Sequence, residues 1–295
     1  MERKFSLAYL TIPGVDPFDQ IRIAAEAGYD YVSLRTIPMG LPGEPQTCLE
    51  KDPELFKNIK KALKDSGMKL FDIELVRVRE DLPGDYRKAF ECGAELGATD
   101  VLSSVWTKDH SFAAEQYGSI CEQAREFGLT VNLEFPIVSG LTTLDETIAI
   151  QDKVNAPNLK LLMDMIYCHW DNVTGEKIKG LDPERFGVIH LCDCPKDTQG
   201  MEIAQIVREG REYCGEGVAA LEDLLKALPA NTCSIELPNT KYIAEYGGAG
   251  HAKRCHTPSR KTPPSPALIS WPRAGRRTCC DWPIPNCTPI SATRF

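Results

Sequence analysis

The chain has 295 residues, of which 42% are hydrophobic and 26% are charged, a composition typical of a globular protein. This composition excludes a disulfide-stabilised miniprotein and a fibrous repeat. With 34 Lys and Arg against 42 Asp and Glu, the net charge is −8, which disfavours nucleic acid as a partner because proteins that bind phosphate backbones carry positive charge on the binding face.

Export and membrane signals are missing from the sequence pattern. No run of 18 apolar residues occurs, and the opening segment MERKFSLAYLTIPG has too short an apolar stretch for a signal peptide. We therefore expect a soluble, cytoplasmic protein without membrane association. Its twelve Cys residues are predicted to be free thiols, since disulfide frameworks belong to exported proteins.

Short β-rich runs alternate with amphipathic stretches from the N-terminus to about residue 239. The first run is followed by a helix that starts at Asp16-Pro17 and stops at Gly28, and the helix at 52–67 repeats this Asp-Pro start and Gly stop. Eight strands are predicted, at 5–11, 29–36, 68–78, 99–106, 129–135, 159–165, 186–193 and 232–237. This order predicts a single-domain α/β protein, a (β/α)8 TIM barrel; a doubly wound open sheet is the alternative.

Four successive late strands end in residue types that bind metal ions, namely Glu134, Asp164, His190 and Glu236. Barrel enzymes build their sites at the C-terminal ends of the strands, so these side chains are expected to converge. Three buried carboxylates would repel one another unless a cation neutralised them. Oxygen and nitrogen ligands without thiolate suit Mn²⁺, Mg²⁺, Co²⁺ or Zn²⁺, and we predict one such divalent ion. The alternative is four isolated strand ends that meet solvent.

The order of these four residues, with the segments HLCD at 190–193 and GEGVAALEDLLKAL at 215–228, resembles the xylose isomerase-like TIM-barrel superfamily. This group contains sugar phosphate isomerases and epimerases, inosose dehydratase and the AP endonuclease family 2 enzymes. The resemblance implies that Glu134 and Glu236 are both metal ligands and the catalytic acid/base pair, and that Asp164 and His190 are ligands only. The endonucleases use further His ligands on strands two and three, where this chain has Arg35 and Glu74, so a three-zinc DNA-repair site is disfavoured.

The same resemblance points to three candidate substrate contacts. The family often has His three residues after the strand-six Asp, whereas here Tyr167 takes that position and His169 follows two residues later. It often has Arg six residues after the strand-seven His, where this chain has Lys196, which keeps the charge but not the bidentate geometry. Asp193 matches the last residue of the family's HxxD segment.

Four further residues are candidate substrate contacts with ordinary alternatives. Glu74 would bind a substrate hydroxyl or face solvent, and Arg35 would bind a substrate carboxylate or phosphate or pair with a neighbouring loop acid. Trp106 would stack on a sugar face or pack against the barrel. Arg211 would contact an anionic substrate, although the sequence favours a surface position for it.

The last part of the chain is a different kind of sequence. Residues 253–295 contain eight Lys or Arg, one acidic residue, eight Pro and four Cys, with no apolar periodicity. We therefore predict a barrel over 1–252 whose eighth helix is incomplete or replaced. The basic Pro/Cys-rich segment that follows is predicted to be disordered, and an out-of-frame origin is favoured over a functional basic arm.

The sequence favours a divalent-metal sugar or polyol isomerase or epimerase of carbohydrate metabolism, acting by proton transfer through a metal-stabilised enediolate. Its partner would be a small carbohydrate or polyol, with homo-oligomerisation left open. One alternative is a metal-dependent dehydratase of a keto-polyol or a dehydroshikimate-like compound. The other is a barrel without catalytic activity that serves as a binding or scaffold protein.

Overall fold

Eight parallel strands close into a barrel in chain order, with β8 paired to β1. This arrangement is seen in a computed structural model that describes residues 3–82 and 84–261. It confirms the (β/α)8 TIM barrel and excludes the open sheet. The strands are β1 Phe5–Leu7, β2 Tyr31–Arg35, β3 Lys69–Val78, β4 Asp100–Val105, β5 Thr130–Glu134, β6 Leu159–Asp164, β7 Phe186–Leu191 and β8 Cys233–Ile235.

Helices follow the strands and cover the outside of the barrel. Their starts are fixed locally: the Asp16 carboxylate caps α1 by accepting from the Phe18 and Asp19 N–H groups, and Asp52 caps α2 in the same way. The helices are α1 Pro17–Ala27, α2 Pro53–Ser66, α3 Arg87–Glu95, α4 His110–Glu126, α5 Leu144–Val154, α6 Met165–Trp170, α7 Gly175–Lys179, α8 Ile203–Glu209, α9 Leu221–Ala227 and α10 Thr240–Lys261. Within the described part of the chain, no helix is long and apolar enough to cross a membrane.

The inward-facing side chains of the strands form layers inside the barrel. In one layer, the Ser33 hydroxyl lies 2.8 Å from that of Ser6, 3.3 Å from that of Ser234 and 2.6 Å from a carboxylate oxygen of Asp72. Strand side chains alternate between faces, so the residue two positions later on each strand lies one layer nearer the C-terminal mouth. That upper layer holds the candidate ligands.

The final helix, α10, occupies the place of the eighth helix of the barrel and packs against α1. It bends at Gly247, whose positive φ of 68° is left-handed, and continues to Lys261. The predicted boundary at residue 252 falls inside this helix, which runs to Lys261. Two residues at and beyond that boundary, Ala252 and Cys255, are buried. The rest of the predicted tail, from residue 262, lies outside the described residues.

Candidate metal centre

Four neighbouring strands bring the predicted ligands to the C-terminal mouth of the barrel. Glu134 and Asp164 are the last residues of β5 and β6, His190 lies near the end of β7, and Glu236 directly follows β8. In the strand register His190 stands opposite Asp164 on one side and Ser234 on the other. The four side chains therefore come from adjacent strands and lie side by side.

The ligand atoms of these residues form one tight, buried cluster. The His190 Nδ1 atom lies 3.0 Å from Glu134 Oε1, 3.3 Å from Glu236 Oε2 and 3.9 Å from Asp164 Oδ2. One ligand atom from each residue lies within 4.8 Å of all the others. Ligands about 2.1 Å from an ion lie up to about 4 Å apart, so this donor set has the chemistry to hold a divalent cation and is within about 1 Å of the required size.

A fifth buried residue, Arg211, completes the charge balance of the cluster. Its side chain is fully buried, with Nη1 2.7 Å from Asp164 Oδ2 and Nη2 2.9 Å from Glu236 Oε2. The sequence-based preference for a surface position was therefore wrong. Three carboxylates and one guanidinium leave a charge of minus two when His190 is neutral, which is the charge that a divalent cation cancels.

Burial and electrostatic interactions within the cluster shift the pKa values of its members in different directions. Burial raises the pKa of Glu134 to about 7, against the opposing effect of His190. Burial also acts to raise the pKa of Glu236, but the charges of His190 and Arg211 hold it well below its usual range. Burial acts to lower the pKa of His190, but the carboxylates of Glu236 and Glu134 raise it well above its ordinary value.

The loop that carries Arg211 is held between the ends of β7 and β8. The backbones of Glu212 and Asp193 exchange two hydrogen bonds of 2.9 Å, and the Asn239 side-chain amide donates to the Arg211 carbonyl over 2.9 Å. The Arg211 N–H donates to the carbonyl of Pro238. The sequence drew attention to Arg211 because it comes shortly before the Gly-Glu-Gly turn at 215–217, but no local pattern indicated that its side chain is buried.

Asp193 fixes the next part of the same loop. Its buried carboxylate accepts hydrogen bonds from the backbone N–H groups of Cys194, Gly215, Gly217 and Ala219, over 2.8 to 3.1 Å. These contacts use both carboxylate oxygens to join the segment after β7 to the Gly-Glu-Gly turn. A substrate contact by Asp193 stays a prediction.

Arg35, the last residue of β2, stands opposite Glu74 in the middle of β3. Their buried side chains form an ion pair of 2.7 Å between Arg35 Nη2 and Glu74 Oε2. The Nη1 atom of Arg35 lies 3.1 Å from Oε1 of Glu44 in the following loop. Of the two partners predicted for Arg35, a substrate anion or a neighbouring loop acid, the structure contains the loop acid. Arg35 also lies over the Tyr9 ring, with 4.5 Å to its centroid.

The remaining predicted contacts lie outside the four-ligand cluster. Trp106 is half-buried just after β4, and its indole N–H donates to the Ser104 hydroxyl over 2.9 Å. His169 lies on α6, where partial burial lowers its pKa, and Lys196 is exposed in the loop after β7. Their roles as substrate contacts stay predictions.

Comparison with known proteins gives this architecture a family. The sequence pattern of the xylose isomerase-like TIM barrel family matches residues 21–255. The chain belongs to this family. It is 21% identical over 249 residues to an inosose isomerase of Bacillus subtilis, an alignment covering 75% of this chain and 84% of that protein. It is also 21% identical over 237 residues to an inosose isomerase of Bacillus velezensis, covering 75% and 83%.

Two solved structures of this xylose isomerase-like barrel type superpose on the chain. The crystal structure of the IOLI protein with a bound zinc atom has a TM-score of 0.73 at 18% identity and covers 88% of this chain and 97% of that one. A D-allulose 3-epimerase from Methylomonas sp., in complex with D-allulose, has a TM-score of 0.64 at 16% identity and covers 88% and 96%. At these identities the likeness concerns the fold.

Proposed function

We propose that the chain is a divalent-metal-dependent isomerase or epimerase of a sugar or polyol. The observation that carries this proposal is the buried cluster of Glu134, Asp164, His190 and Glu236, which together with Arg211 carries a charge of minus two when His190 is neutral. The two inosose isomerases among its relatives and the epimerase of similar fold support the reaction class. The zinc atom bound in the IOLI structure supports a metal requirement.

The proposed cofactor is one divalent ion, held by Glu134, Asp164, His190 and Glu236. When bound, it would supply the positive charge that stabilises negative charge developing on the substrate carbonyl oxygen. Arg211 orients two of the ligands, because it holds Asp164 Oδ2 and Glu236 Oε2 at hydrogen-bonding distance.

Two carboxylates would carry the proton transfer. Glu134 ends β5 and Glu236 directly follows β8, three strands apart around the barrel, so they approach a substrate in the mouth from different directions. One removes the proton from the carbon next to the carbonyl. The other delivers a proton to the opposite face, which gives epimerisation, or the proton returns to the adjacent carbon, which gives isomerisation.

A substrate screen tests the reaction class directly. Metal-loaded protein is incubated with a panel of unphosphorylated and phosphorylated ketoses and keto-polyols in D₂O, and products are followed by NMR. An isomerase or epimerase yields a product that is an isomer of the substrate, and deuterium next to the carbonyl shows proton transfer with exchange into solvent. Loss of water would assign a dehydratase instead, and no turnover of any member by metal-loaded protein would favour a binding protein.

A further inference from the structure

The loop between β2 and α2 places a carboxylate in a site built for anions. One oxygen of Glu44, Oε2, accepts hydrogen bonds from three successive backbone N–H groups, those of Met39 and Gly40 at 2.8 Å and that of Leu41 at 3.2 Å. The other oxygen, Oε1, lies 3.1 Å from Arg35 Nη1. Convergent backbone N–H groups with a guanidinium form a typical recognition site for phosphate or carboxylate groups.

This anion site is buried and already filled by the chain itself. The side chains of Glu44 and Arg35 are 3% and 4% exposed. Arg35 also pairs with Glu74, whose second oxygen accepts from the Tyr9 N–H at 3.2 Å. One guanidinium therefore pairs with two carboxylates. A second guanidinium, that of Arg77, donates from Nη2 to the Met39 carbonyl over 3.2 Å and interacts electrostatically with Glu44.

The anion site belongs to the same layer of the barrel as the candidate metal ligands. Arg35 comes two residues after Ser33 on β2, and Glu236 comes two residues after Ser234 at the end of β8. The hydroxyls of Ser33 and Ser234 lie 3.3 Å apart inside the barrel, so Arg35 and Glu236 both lie in the layer above them. A substrate in the mouth would have the metal ligands on one side and the Arg35 group on the other.

We propose that Glu44 is a specificity-determining residue, whose carboxylate occupies the position that a substrate phosphate or carboxylate would take and reserves the site for uncharged polyhydroxy ketones. An anionic group brought to this side of the mouth finds Arg35 and the three N–H groups already bonded to Glu44. The selection among substrates rests on the proposed function. The anion site stands on the contacts of Glu44 alone.

Binding of inorganic phosphate tests the anion site without any substrate. Glu44→Ala removes the internal carboxylate, and we expect this variant of the full chain to bind phosphate at least about tenfold more tightly than the wild type. The measurement is calorimetric titration at constant ionic strength, with chloride replacing phosphate in the blank. Arg35→Met added to Glu44→Ala is expected to remove the gain.

Glu146 provides a matched control for the loss of a carboxylate held by backbone N–H groups. Its Oε2 atom accepts from the N–H groups of Thr142 at 2.9 Å and Thr143 at 3.2 Å. These partners are backbone groups, and no guanidinium takes part in these bonds. Glu146→Ala should leave phosphate affinity at the wild-type level. If Glu44→Ala binds phosphate no better than Glu146→Ala, or if the wild type binds it equally well, the proposal is wrong and Glu44 only closes the loop.

A second variant guards against misfolding, and a substrate pair separates the two proposals. Glu44→Gln keeps the side-chain shape and removes only the charge, whereas Glu44→Ala also empties the position. We expect the kcat/KM ratio of a ketose phosphate to the free ketose to rise by at least about tenfold over the wild type in Glu44→Ala, and by less in Glu44→Gln. An unchanged ratio in a folded Glu44→Ala variant contradicts the specificity role. If the wild type turns over only phosphorylated ketoses, the inference is wrong and the isomerase proposal stands. If it turns over neither compound, the isomerase proposal is contradicted, and the phosphate titration still decides the anion site.

Discussion

The guanidinium of Arg211 donates from Nη1 to the Oδ2 atom of Asp164 over 2.7 Å, and neither side chain has any solvent exposure. The two residues come from distant parts of the chain, a loop before α9 and the end of β6. Their pairing places a fixed positive charge beside two of the four candidate metal ligands. The candidate centre is therefore a five-residue unit.

Replacing the Arg211 guanidinium by an uncharged side chain should destabilise the metal-free protein. Arg211→Met leaves Asp164 and Glu236 buried without their partner, and we expect the free energy of unfolding to fall by about 3–5 kcal/mol. Urea denaturation of the metal-free protein measures this change. Arg22→Met is the control, because Arg22 pairs with Asp19 and Glu26 on the exposed surface of α1, where such pairs contribute about 0–1 kcal/mol. Equal losses in the two variants would contradict the central role of Arg211.

The metal content of the purified protein tests the ligand assignment. We expect close to one divalent ion per chain, and Asp164→Ala or His190→Ala should abolish binding because each removes a buried donor from the cluster. Elemental analysis and titration with Mn²⁺ or Zn²⁺ measure this. His169→Ala is the matched control and should keep the ion. A wild-type protein that takes up none of these ions would remove the basis of the proposed reaction.

Metal affinity should rise with pH. Burial raises the pKa of Glu134 to about 7, and the carboxylates of Glu236 and Glu134 raise the pKa of His190 above its usual range. Both groups therefore hold protons below pH 7 in the metal-free protein, and an ion must displace them. Affinity should increase about tenfold per pH unit for each proton displaced. Calorimetry in buffers of different ionisation enthalpy counts these protons, and binding without proton release would contradict the expectation.

The two-glutamate mechanism predicts both a solvent label and a rate effect. With any accepted ketose in D₂O, deuterium should appear at the carbon next to the carbonyl. Glu134→Gln and Glu236→Gln should each lower kcat by at least about 100-fold, the scale for loss of a general acid or base. Assays at saturating Mn²⁺ separate this from weakened metal binding, and Glu146→Gln should retain activity. Turnover without label would favour a hydride shift between carbons.

Truncation tests which part of the C-terminal region the barrel needs. A chain ending at residue 261 keeps every residue of the candidate centre and should retain wild-type metal binding. A chain ending at residue 247 loses the buried Ala252 and Cys255 and the bond from the Tyr29 hydroxyl to the Ala252 carbonyl. It should unfold at a lower temperature because that part of the core becomes exposed to water. Equal melting temperatures would show that this end of α10 contributes no stability.

Local sequence patterns were enough to predict the barrel and the four residues that cluster at its mouth. The Asp-Pro starts and Gly stops of α1 and α2 act through hydrogen bonds and backbone angles within a few residues, so their effect is readable along the chain. The candidate ligands Glu134, Asp164, His190 and Glu236 each lie at the end of an apolar strand, and barrel closure brings such ends together whatever the connecting loops do. This part of the candidate site follows from strand order alone.

Only the tertiary structure decided which carboxylates pair with Arg211 and Arg35. Arg211 and Arg35 look alike in sequence, as single basic residues near loops, because nothing within a few residues of either one indicates its burial. Their surroundings are set by contacts across the barrel and its loops: Arg211 meets carboxylates from β6 and from the end of β8, and Arg35 meets Glu74 of β3 and Glu44 of a loop. Ion pairing in a buried layer depends on which residues are neighbours in three dimensions. The spacing of residues along the sequence does not reveal these neighbours when the partners lie on different strands.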